Sequence, residues 1–293
     1  VKNGKEMNVK IARQASSPAP QQPKELHRSL MKSLKYCLAL LIVTQVTAAP
    51  AFSQTPPEKN PSEKTSFLKR ATVSENAGTT EVTANSPRPL AQALDALQQK
   101  YGWLAGYEDP QFRSKSDLAE PATAGGQILP AGGRFTAEFP STVSDEEKIL
   151  QTVVDAYNSS ENPGRFELRK TKQGGFSIVG TQSKNAQGHI TPQRPALDAP
   201  ITLLPRQRTA TDTINLIARR IAEQRGVKIT LGVSPRNLLD HNNVKVSGTK
   251  VPARELILQV LSSLRGSFYW RLLFDPNSKG YFLDIHLEPS HPK

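Results

Sequence analysis

The side chains able to do chemistry are few and scattered along these 293 residues. His189, His241, His286 and His291 are scattered, with no HExxH, no histidine pair at i and i+4 and no accompanying ligand cluster, so no metal site is expected. Gly125-Gly126 and Gly132-Gly133 lack the Gly-Lys-Ser/Thr ending of a phosphate loop, and read as flexible-loop glycines. No GxSxG is present, and Asp212-Thr213 is followed by Ile where an aspartic protease needs Gly. Asp212 is better placed to favour the start of a helix, as are Asp145, Glu146 and Glu147. No catalytic residue and no cofactor is expected, and the protein is read as a non-enzyme.

Two groups remain as surfaces. Arg219, Arg220 and Arg225 form a basic cluster that reads as a solvated helix face or a docking surface. Phe268, Tyr269, Trp270, Phe274, Tyr281 and Phe282 crowd the last part of the chain with Arg271 among them, the residue types an RNA-binding sheet would need. Strand alternation sends only part of that set to one face. Burial of the rest is the ordinary account, so nucleic acid is the secondary reading.

The elements that must carry these residues follow an export signal. MKSLKYCLALLIVTQVTAAPAFSQ at 31–54 has Lys32 and Lys35 before an apolar run of about ten residues. Ala49-Pro50-Ala51 offers signal-peptidase cleavage after Ala51. The run is about half of what a permanent membrane span needs. Cys37, the sole cysteine, opens it, so a chain cut after Ala51 has no thiol for disulfides, zinc thiolates or catalysis. Residues 1–30 read as a mis-assigned start preceding Met31 or as a disordered extension. Residues 1–51 hold eight of the 38 basic and two of the 26 acidic residues, leaving 30 against 24 and a net charge near +6. That surplus fits solubility or loose attraction to an anionic polymer without naming one. Residues 52–84, rich in Pro, Ser, Thr, Glu and Lys, predict a disordered linker.

From 85 to 288 the pattern repeats. Leu90, Ala93, Leu94 and Leu97 lead to Gly102, and Ile214, Ile217, Ala218 and Ile221 lead to Gly226, each an amphipathic helix closed by glycine. Short strands follow at 103–107 and 227–231. Ile149, Leu150, Val153, Val154 and Tyr157 match Leu256, Ile257, Val260, Leu261 and Leu264 in spacing, giving a second helix in each half. Ser144 with Glu147 has capping-box spacing, and Pro252 suits a first helical turn. Hairpins close each half at 165–180 and 267–288, and further strands are expected at 134–139, 201–205 and 243–248. The fold class is therefore α+β: two related small modules, 85–184 and 200–288, each a mainly antiparallel sheet with two helices packed on one face. A longer loop at 111–133, a linker at 185–199 and a tail at 289–293 complete the organisation.

The run TDTINLIARRIAEQRGVKITLGVSPRNLLDHNNVKVSGTKVPARELILQVLSSLRGSFYWRLLFDPNSKGYFLDIHL, about 210–287, resembles the secretin and TonB N-terminal short domain. A degenerate version of the same pattern covers 88–180. The resemblance implies a periplasmic interaction module, and it carries no functional residues across. The expected protein is thus a periplasmic or secreted binding module without a permanent anchor. Its partner would be an envelope protein or a cell-wall or outer-membrane component. A nucleic-acid or anionic-polymer binder and an envelope hydrolase with an unrecognised site are the alternatives.

Overall fold

The computed structural model describes residues 71–119 and 128–288. The signal segment, its cleavage point at Ala51, most of the expected linker and the tail lie outside the described residues. Among the described residues, five helices and fourteen strands give an α+β fold.

The first half opens with a hairpin, β1 (Ala71–Asn76) and β2 (Thr79–Ala84), where a linker is expected. The composition is polar, but Val82 and Ala84 are fully buried and Ala77-Gly78 supplies the positive φ of a tight turn. Helix α1 (Pro89–Tyr101) begins on a proline and buries Leu90, Ala93, Leu94 and Leu97. It ends on Gly102 at φ 76, a left-handed cap that only glycine takes without strain. Strand β3 (Gly106–Glu108) follows, then a 3-10 turn and two short paired strands, β4 (Leu118–Ala119) and β5 (Leu129–Pro130), within the expected long loop. Next come β6 (Phe135–Pro140), α2 (Glu146–Ser159), β7 (Arg165–Lys170) and β8 (Phe176–Lys184). The cap of α2 is Asp145, whose side chain accepts from the Lys148 amide at 3.3 Å, one residue after the expected Ser144.

The expected linker at 185–199 contains β9 (Ile190–Pro192) and a 3-10 turn at Ala196–Asp198 that buries Leu197 completely. The second half runs β10 (Pro200–Thr209), α3 (Ala210–Arg225), β11 (Ile229–Leu231), an unforeseen α4 (Arg236–His241) and β12 (Asn243–Pro252). It closes with α5 (Ala253–Ser262), β13 (Phe268–Asp275) and β14 (Gly280–Leu287). Thr209 caps α3 by accepting from the Asp212 amide at 3.0 Å, and Gly226 ends it at φ 64. Pro252 sits one residue before α5, not inside its first turn.

The halves do not keep separate sheets. One mixed sheet runs β11-β14-β13-β3-β8-β7, with β9 also on β8, while β1-β2-β6 and β10-β12 form small sheets. Each half contributes a triplet in the same order, its short strand parallel to its last strand and its last two strands antiparallel. The triplets are joined by β13 lying parallel to β3. Strand directions in the second triplet are therefore reversed relative to the first, which turns the sheet over. Accordingly α1 and α2 share a core with Tyr107 and Ile178, whereas α3 and α5 share one with Trp270, Leu272 and Leu283 on the opposite face. Each helix pair lies on one face of the mixed sheet, as expected, and is covered on its other side by its own small sheet, which the expected module lacks. The sequence period cannot distinguish these cases, because a helix stripe wide enough for one sheet also suits the seam between two.

Candidate functional site

The polar residues with the most unusual surroundings gather where the two triplets meet, at the end of β3. Glu108 is fully buried. Its Oε2 accepts from Arg254 Nη2 at 2.6 Å and its Oε1 from the Leu197 amide at 3.1 Å. Arg254 also donates to Asp198 Oδ1 at 2.6 Å, and Arg169 donates to Asp198 Oδ2 at 2.8 Å. Burial pushes the Glu108 carboxyl above its ordinary range against the pull of Arg254. Asp198 is less enclosed. Burial works on it in the same direction, but Arg254 and Arg169 hold its carboxyl below the ordinary range.

Asp109, beside it, accepts from Arg88 Nε at 2.7 Å, from the Phe274 amide at 2.9 Å and from the Tyr107 hydroxyl at 2.7 Å. Burial first, then the Asp109 charge, pushes the Tyr107 phenol far up, and burial does the same to Tyr281. Arg271, on β13, donates to Asp95 of α1 at 2.8 Å and to the Ala105 carbonyl at 2.6 Å. Every one of these arginines links one half to the other or to the segment between them. Chemically, a buried carboxyl with a raised proton affinity is the profile of a general acid. Here Arg254 and the Leu197 amide occupy its oxygens, and neither groove described below is lined by it. The cluster is a weld, and it depends on shape as well as charge: a Cβ on Gly106 would collide with the Trp270 indole.

Among the described residues, two grooves stand out as open. One, of about 200 Å³, lies between the halves and is lined by Leu104, Gly106, Phe176, Leu258, Phe268 and Trp270 among others. The second, about 350 Å³, is bordered by Asn162, Arg165, Ser183, Lys184 and Ile190. Arg165 there donates to the Asn162 and Gly164 carbonyls, and Lys184 lies 3.4 Å from Asp117. Both cations are engaged locally.

The expected docking arginines do not converge. Arg219 and Arg220 are exposed on α3, and Arg220 pairs with Glu223 at 2.8 Å. Arg225 lies roughly 140° around the helix from Arg220. It is half-buried, its Nη2 has no hydrogen-bond partner among the described residues, and burial followed by the nearby Arg194 charge lowers its proton affinity. The hairpin aromatics divide as alternation requires. Trp270, Phe274 and Tyr281 enter the core, while Phe282, 39 % exposed, shares the other face with Tyr269. His286 stacks on Tyr269 at 4.8 Å between ring centroids, and burial followed by Arg271 lowers its proton affinity. Among the described residues no three metal-ligating side chains cluster, and no helix is long and apolar enough to cross a membrane.

Sequence reasoning missed Glu108, Asp109, Arg88 and Arg254 as a group. The one signal was a pair of acids, Glu108-Asp109, directly after an apolar strand and before Pro110. No family model, curated protein or solved structure matches this chain.

Proposed function

We propose that this protein is an exported, non-catalytic binding module of the cell envelope, built from two units of the secretin and TonB short-domain type. One observation carries the reading: the charged side chains in special environments face inward and weld two units together, whereas the surface offers unpaired strand edges and an open sheet face. Such features bind through backbone and shape and need no signature residues. The order of elements in the second half, from the helix ending at Gly226 to the closing hairpin, supports the family resemblance.

The test combines fractionation of the native protein, N-terminal mass analysis and photo-crosslinking in the intact envelope from probes on β10, β7 and the Phe282 face. A chain beginning at Phe52 in the envelope fraction, crosslinked to a defined partner, is the expected result. An intact Val1 in the cytosol would overturn it. A second reading, binding to a nucleic acid or other anionic polymer, is favoured by Tyr269 and Phe282 on the open face. It requires an affinity that falls steeply with salt.

A further inference from the structure

The small sheets of the two halves end differently. In the first, β2 has β1 on one side and β6 on the other. In the second, β10 stands in the place of β2, directly before the first helix of its half. It pairs with β12 on one side and with no strand among the described residues on the other. The chain before β10 is spent on the weld through Leu197 and Asp198 and cannot also supply a neighbour. From Ile201 to Thr209 one edge thus has no strand neighbour among the described residues, whereas the Pro200 carbonyl accepts from Gln224 Nε2 at 2.9 Å and Pro205 has no N–H to donate. Ile201 and Leu203 are buried beneath that edge, while Leu204 is 73 % exposed at the register shift between Leu203 and Arg206. Arg206 and Arg208 follow, with Lys245 opposite Gln207. Among the described residues neither arginine forms an ion pair.

We infer that the outer edge of β10 accepts an added antiparallel strand from a partner, an extended acidic segment of about six residues. This deepens the binding function proposed above and rests on it. The precedent is in the molecule: β1, six residues long, lies antiparallel on β2 from Ala71 opposite Ala84 to Asn76 opposite Thr79. Charge selects the occupant. β10 carries no acid, and its prolines, its register shifts and its arginines are the devices that keep an edge from pairing with a copy of itself. Two β10 strands laid together would bring like charges onto adjacent strands, whereas glutamates on the incoming strand convert that repulsion into attraction. The edge of β12 lacks this precedent, since β6, its counterpart, also pairs on one side only.

The experiment uses three probes on the full chain: an eight-residue peptide alternating Thr with Glu, the same peptide with Lys for Glu, and inorganic polyphosphate of matched charge. Binding is followed by anisotropy and by amide hydrogen exchange across 201–209. The Glu peptide is expected to bind at least tenfold more tightly than the Lys peptide and to slow exchange in β10. The variant Arg206→Glu/Arg208→Glu, with unchanged circular dichroism, should reverse the preference. Equal binding of both peptides, a preference that survives charge reversal, or no slowing of β10 exchange would overturn the inference. So would polyphosphate displacing the Glu peptide without protecting β10, which marks a plain anion surface. If an envelope partner crosslinks to wild type and double variant alike, the β10 inference fails and the binding function stands. If the Glu peptide protects β10 but no envelope partner is found, the reverse holds.

Discussion

Strands β8 and β14 occupy the same place in their halves, yet one is enclosed and the other half open. From Phe176 to Gly180 every residue of β8 is buried: Phe176 and Ile178 face the core of α1 and α2, Pro110 closes over Gly180, and Val179 lies beside Glu108, which the Leu197 amide binds from the segment between the halves. On β14 burial alternates, leaving Phe282 exposed and Asp284 and His286 half-exposed. The segment between the halves is therefore core as well as connection: Ala196, Leu197 and Ala199 pack into the core of the second half, while the Leu197 amide binds Glu108 of the first. The junction is similarly one-sided. Counting from the cap glycines, Gly106 corresponds to Thr230 and Glu108 to Gly232, and the matching second helices set Arg254 against Glu147. A Thr where the Trp270 indole needs bare backbone, one lost charge and one reversed charge leave β11 without the joint that β3 makes.

The comparison can be broken most severely at Arg254. Arg254→Met should cost about 3–5 kcal/mol by leaving Glu108 buried without its partner. Adding Glu108→Leu should restore most of that loss; urea denaturation measures both, and no restoration would mean that Arg254 acts through Asp198 instead. Gly106→Thr, which installs the counterpart residue, should cost about 1–3 kcal/mol or prevent folding by displacing Trp270. The reciprocal Thr230→Gly should cost only about 0.5–1 kcal/mol. Equal costs for the two would remove the asymmetry of the junction.

Smaller effects are expected from pH. Glu108 binds its proton more tightly folded than unfolded, so its contribution favours folding below the ordinary value of 4.5 and is lost as pH rises through the raised folded value. Glu108→Gln should flatten that decline in a stability profile above pH 4.5. His286 behaves in the opposite sense. Its folded value lies below 6.5, so stability falls as pH drops through that region, and His286→Gln should remove this modest slope.

Four of the helices, all but the short α4, were legible because each carries its own evidence. Apolar residues recur at three and four, glycines end α1 and α3 where they should, and both late hairpins turn at expected residues. The β1-β2 hairpin was not, since a polar strand that buries only one face resembles a linker in composition. Of the candidate site, the inward turn of Trp270, Phe274 and Tyr281 follows from alternation alone. The grouping of Glu108 with Arg254 does not, because 146 residues separate them and nothing local to either records the other.

By itself the sequence determined the α+β class, the order of the two main helices and the principal strands in each half and which face of those helices is apolar, all properties of neighbours within a few residues. Tertiary structure decided that the halves share one sheet, that their helices lie on opposite faces, and that β10 keeps an open edge. Those outcomes turn on strand pairing between distant segments, and pairing is set by backbone hydrogen bonds that every residue type but proline can make.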